Sequence, residues 1–222
     1  MTALAVSVGS FAPSLLNQSA RRAPLTPSVL AHAAFMAGWL TLYLVQALLA
    51  VRGRLTVHKR LGPAAAVVAA GVVVTGYQAT LGMIRRGYDS SGDLSVGPGG
   101  ALSQTVFMIG SLVAFAVLVG TAIVLRRRPL THKRLMTLAT IQSLMAAPLA
   151  HLVGHYRLPG LILPAWGVGV LLVMIAHDRR SRGGIHPASL WGGLGLVILG
   201  NVEAVVIGPS QIWQQFIAWL GR

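Results

Sequence analysis

Arg52-Gly-Arg-Leu-Thr-Val-His-Lys-Arg-Leu61, Arg126-Arg-Arg-Pro-Leu-Thr-His-Lys-Arg-Leu135 and Arg180-Ser-Arg-Gly-Gly-Ile-His-Pro187 share one pattern, Arg-x-Arg-x-x-x-His, and each separates two apolar segments. The motif residues are Arg52, Arg54 and His58; Arg126, Arg128 and His132; and Arg180, Arg182 and His186. The first two copies also share the string His-Lys-Arg-Leu at an offset of 74 residues. A short polar link flanked by long apolar runs is a helical hairpin, so the repetition predicts three similar hairpins in series. Each copy occupies the same place in its hairpin, which makes the repeats parallel rather than inverted.

The solvent for most of this chain is lipid. Hydrophobic residues make up 55% of it and charged residues 10%, with a mean hydropathy of +0.71, a balance foreign to a soluble domain of 222 residues. Cut at its charges, the chain falls into six apolar segments near 29–51, 61–84, 101–125, 135–153, 158–176 and 188–208. A bilayer core needs roughly 20 such residues per helix, and lipid requires each segment to satisfy its own backbone, so the expected fold is all-α. The predicted architecture is a polytopic six-helix bundle over 28–209, built from three parallel hairpins. Pro148 and Pro164 fall inside the fourth and fifth segments and predict kinks there.

The net charge of +14 is a topology signal. Of 18 basic residues, 12 lie in the first, third and fifth links, which predicts those links in the cytoplasm and both termini outside a bacterial inner (plasma) membrane. Nucleic-acid binding is not expected of such short links; orientation and contact with anionic lipids account for them.

Residues 1–27 are mildly apolar and carry no basic residue before Arg21, so they read as an outer segment, partly interfacial, rather than a cleaved signal peptide. The glycine-rich stretch from Arg85 to Gly100 reads as a long exposed loop. Residues 210–222 predict a C-terminal interfacial amphipathic helix, with Ile212, Phe216, Trp219 and Leu220 on one face beside three glutamines.

No cysteine is present, which excludes disulfides, thiolate catalysis and iron–sulfur clusters. No phosphate loop, zincin or serine-hydrolase motif occurs either, and no catalytic motif is found. The candidate polar site is a set at the outer end of the expected bundle: His32, His151 and His155 at i, i+4, and Glu203 with Asn201. Such a set could bind a metal, relay protons or, by pairing His32 with His151, ligate a b-type haem. Glu203 stands out because a carboxylate in a membrane helix costs roughly 2.5–3.5 kcal/mol unless protonated or paired. The link histidines are expected to cap helix starts, contact lipid phosphate or pair with a neighbouring link.

His58-Lys-Arg-Leu-Gly62, His132-Lys-Arg-Leu-Met136 and the later Arg182-Gly-Gly-Ile-His-Pro187 with Trp191-Gly-Gly193 resemble a group of uncharacterised bacterial six-helix membrane proteins, over residues 32 to 200. The His-x-x-Leu-Gly form at His58 is also loosely similar to elements of diheme b-type cytochromes. Three functional readings stand. The first is a non-catalytic scaffold or accessory subunit that binds lipid or a membrane-protein partner through the links and amphipathic ends. The others are a b-type haem redox protein and a small proton-coupled transporter using Glu203 and the outer histidines.

Overall fold

Helices occupy nearly all of the described part of the chain in a computed structural model, which describes residues 9–10, 25–86, 100–143, 149 and 162–222. In chain order they are α1 (Pro27–Val51), α2 (Leu55–Arg86), α3 (Gly100–Val124), α4 (Pro129–Leu138), α5 (Ile162–Arg182), α6 (Pro187–Val202) and α7 (Gln211–Leu220). Two of them run on into π-helical turns, α4 into Ala139–Ser143 and α6 into Glu203–Ile207. Among the described residues no strand occurs, so the fold is all-α as expected.

Among the described residues, four apolar helical stretches are long enough to cross a membrane: Pro27–Val51, Leu55–Arg86, Thr105–Val124 and Pro187–Ile207. The 25 residues of α1 rise about 37 Å, more than a hydrocarbon core. Their flanks are rich in bare apolar side chains, among them Val67, Val74, Val113, Val117, Ile198 and Val205. In water that surface would be an aggregation liability; against acyl chains it is matched. The expected fourth and fifth segments are described only in part, since 144–148 and 150–161 lie outside the described residues. Pro148 is outside as well, and Pro164 falls in the first described turn of α5.

Three boundaries differ from the sequence reading. The second helix begins at Leu55 rather than near 61, α4 begins at Pro129 rather than near 135, and α5 continues to Arg182 rather than ending near 176. Apolar character stops where the charges begin, but backbone hydrogen bonding does not. His58 N–H reaches the Arg54 carbonyl at 3.1 Å, and His132 N–H the Arg128 carbonyl at 2.9 Å, so both histidines stand in the opening turn of a helix.

Starts and stops follow local chemistry. Thr26 caps α1 with Pro27 next to it, and Pro129 and Pro187 open α4 and α6 where their fixed φ costs nothing. Gly53 and Gly183 take φ of +70° in the first and third links, a conformation with a Cβ penalty for other residues.

The helices on either side of each link pack together, and α2 also packs on α3. At the centre Trp39 and Phe115 are 1% and 0% exposed and meet edge to face at 5.0 Å, surrounded by Val72, Leu118, Leu135 and Leu138. The Trp39 indole donates to Thr140 Oγ1 at 3.3 Å, tying α1 to the π turn after α4. Close helix approach depends on missing side chains: a Cβ on Gly71 would fall 2.2 Å from the Phe35 ring.

The C-terminal helix α7 is amphipathic. Trp213 turns inward and donates to Thr105 Oγ1 at 3.2 Å, Ile217 is fully buried, and Ile212, Phe216 and Trp219 form the bare apolar face. Ser210 Oγ accepts from Trp213 N–H at 3.2 Å and so caps the helix. Ser210→Ala is expected to cost about 1 kcal/mol, felt locally as faster amide hydrogen exchange across Gln211–Leu220 with the other helices unchanged. Unchanged exchange there would show that the cap carries no weight.

Candidate functional site at the junction of the basic links

The three basic links meet at one end of the molecule. The first touches the second through His58 and His132, whose rings lie 6.4 Å apart and nearly perpendicular. The second touches the third through Arg134, which reaches Asp178 and Ser189.

The first two histidines are oriented alike. Nδ1 of His58 lies 3.3 Å from the Gln46 carbonyl, and Nδ1 of His132 lies 2.8 Å from the Ala122 carbonyl. A carbonyl only accepts, so each Nδ1 carries the proton and donates it, leaving Nε2 as the other nitrogen. For His132 this fills a vacancy at the end of α3, because Arg126 N–H bonds Ile123 instead of Ala122. The third histidine works in the opposite sense. His186 stands at the N-cap of α6, and its Nδ1 accepts from Ala188 N–H at 3.1 Å. Burial lowers its pKa, and the positive charges of Arg134, Arg182 and Lys133 lower it further against the pull of Asp178. A neutral imidazole is what this cap requires.

Arg134 and Asp178 form the deepest charge pair of the site, 4% and 1% exposed. Arg134 Nε lies 3.0 Å from Oδ1 and 3.3 Å from Oδ2, Nη2 also donates to Oδ1, and Nη1 donates to the Leu130 carbonyl at 2.9 Å. Ser189 Oγ accepts from Nε at 3.1 Å, and His186 N–H donates to Oδ2 at 3.1 Å. Burial alone would raise the Asp178 carboxyl. The bonds from Arg134, Ser189 and His186, with the guanidinium charge, outweigh it and hold the group far below the usual carboxylate range. Five polar groups from α4, α5 and α6 thus satisfy one another.

The motif arginines lie at the surface and the motif histidines lie deeper. Arg52, Arg54, Arg126, Arg128, Arg180 and Arg182 are exposed, and His58, His132 and His186 are half-buried. Two imidazoles with Nε2 uncommitted could share a metal, but among the described residues no group of three His, Asp or Glu forms one.

The outer set is placed as follows. His151 and His155 lie outside the described residues. His32 is half-buried with Nδ1 3.2 Å from Thr75 Oγ1, against Gly76 and Leu112. Asn201 is exposed and donates to Val197 on its own helix at 2.8 Å. Glu203 is buried at the head of the π turn, with its carboxyl against the backbone of α3: a Cβ on Gly110 would fall 1.7 Å from Oε1. Its side-chain carboxyl makes no hydrogen bond or ion pair among the described residues. Gly110 and Leu112 are about 200° apart around α3, so Glu203 and His32 approach opposite sides of that helix.

Sequence reasoning missed Asp178, Ser189 and Gly110. Asp178 did carry a signal, as the only acid among the three basic links. Comparison with protein-family models, with curated proteins and with solved structures finds no match to this chain. Fold and site together define a class: an all-α protein with several membrane-length apolar helices and a basic end whose links are bonded to one another.

Proposed function

We propose that this protein is a six-helix, multi-pass bundle of three parallel hairpins in a bacterial inner membrane, with the three basic links cytoplasmic and both termini outside, and that it acts as a non-catalytic scaffold or accessory subunit. The observation that carries this reading is how the link chemistry is spent: Arg134, Asp178, Ser189, His186 and His132 bind one another and helix ends, which builds a rigid basic platform. The packing of Glu203 over Gly110 favours this reading over a transporter, for which a wetted route to the carboxyl would be needed. The platform's partners are anionic lipids and a membrane protein, not nucleic acid.

The orientation is tested by reporter fusions. A fluorescent protein inserted after Arg54 or Arg128 is expected to mature, and alkaline phosphatase placed within 87–99 to be active; the reverse pattern overturns the orientation. The scaffold role is tested by replacing Arg126, Arg127 and Arg128 with glutamine, which is expected to abolish recovery of the cross-linked membrane partner while the bundle still folds. Undiminished recovery overturns it.

A second reading, a b-type haem protein, is favoured by one observation: His58 and His132 each donate Nδ1–H to a backbone carbonyl, the support that ligand histidines commonly have. Soret absorbance of protein purified after growth with haem precursor decides it, and a featureless spectrum removes it.

A further inference from the structure

Between the second and third links lies a cleft of about 550 Å³ whose groups the platform's internal bonds leave largely unspent. Arg128, Thr131, His186 and Trp191 supply its polar lining, and Leu125 and Leu135 its apolar walls. The Arg128 guanidinium makes no hydrogen bond or ion pair among the described residues. Since Nδ1 of neutral His186 accepts from Ala188, its proton is on Nε2. The Trp191 indole, 68% exposed, is a donor without acceptor capacity. Among the described residues no carboxylate competes for these donors, because Asp178 is 1% exposed and closed inside its pair with Arg134.

The lining therefore combines one unspent positive charge, several N–H and O–H donors, and apolar side chains continuous with the lipid-facing ends of α3 and α6. A soluble anion would use the donors and leave the walls wet. A neutral lipid would use the walls and leave the charge unanswered. We propose that this cleft is a binding site for one anionic phospholipid, with its phosphodiester at Arg128 and the His186 Nε2–H, and its glycerol and upper acyl chains along Leu125, Leu135 and Trp191. Tryptophan at this level suits the headgroup boundary. The site rests on the reading that the chain is embedded in a membrane, and not on which way it faces.

The test uses the full chain in nanodiscs and native mass spectrometry of the released protein, comparing phosphatidylglycerol with phosphatidylcholine. One retained phosphatidylglycerol per protein is expected, with little phosphatidylcholine. Arg128→Gln is expected to weaken retention about fivefold, the effect of roughly 1 kcal/mol per basic residue, with Arg128→Lys in between and Arg54→Gln in the first link without effect. Equal losses from Arg128→Gln and Arg54→Gln would mean general charge attraction and overturn the site. Displacement of the lipid by inorganic phosphate at equal concentration would identify a free-anion site and overturn the lipid assignment. Both leaflets of a nanodisc carry the same lipid, so a reversed orientation in the reporter fusions leaves this result standing. Wild-type thermal stability of Arg128→Gln separates lost binding from lost folding.

Discussion

Asp178→Ala is expected to destabilise the bundle by about 3–5 kcal/mol, because it leaves the Arg134 guanidinium, 4% exposed, buried without a counter-charge. Asp178→Asn should cost less, since an amide still accepts from Arg134 and from His186 N–H. Replacing both partners with apolar residues of similar size should recover most of the loss, the behaviour of a buried pair whose attraction little more than offsets its desolvation. Reversible unfolding in detergent measures all three variants. A loss below about 1 kcal/mol for Asp178→Ala would mean that the pair is solvated and does not join α4 to α5. The pH dependence has a defined sign. The Asp178 contribution is complete above the ordinary carboxylate range and, with the folded pKa depressed, is lost only in strongly acidic solution. His186, also depressed, contributes above the ordinary imidazole range, and its cap is lost as the pH falls through its lowered pKa.

The second large effect is expected at Gly110. A methyl group there would stand 1.7 Å from Glu203 Oε1, so either the carboxyl leaves its place or α6 moves away from α3. Gly110→Ala is expected to cost about 1–3 kcal/mol by overpacking, and Gly110→Leu to cost more. In a Glu203→Ala background, where the obstructing carboxyl is gone, Gly110→Ala should cost far less. Additive losses would place the two residues out of contact. Glu203→Gln keeps the shape without the possibility of charge and is expected to leave stability nearly unchanged, since a charge in a membrane segment is the costly state. Thermal unfolding of the five variants in one detergent gives the comparison.

Much of this architecture is legible in the sequence because lipid imposes simple rules. Long apolar runs must be helices, and charges between them must be links, so α1, α3 and α6 stand close to where composition put them. The helix starts were harder. Leu55 to Arg60 is basic and reads as link, yet those side chains reach water from an opening helical turn while the backbone is already hydrogen-bonded. Asp178 was hidden for a related reason. Between His177 and Arg179 it looks like one more link charge, and only the packing of α4 beside α5 and α6 turns it into the partner of Arg134. Gly110 gives no signal in one sequence, because a glycine in an apolar helix becomes meaningful only when the carboxyl it admits is known.

The π turn at Glu203–Ile207 has an effect that extends past Glu203 itself. Its Gly208 N–H reaches back five residues to the Glu203 carbonyl at 2.9 Å, so this turn holds one residue more than an α-helical turn would. That extra residue acts as a phase adjustment between two fixed points, Glu203 over Gly110 and Trp213 on Thr105. The length of the last apolar segment is therefore set by where two side chains must land on α3, and not by membrane thickness alone.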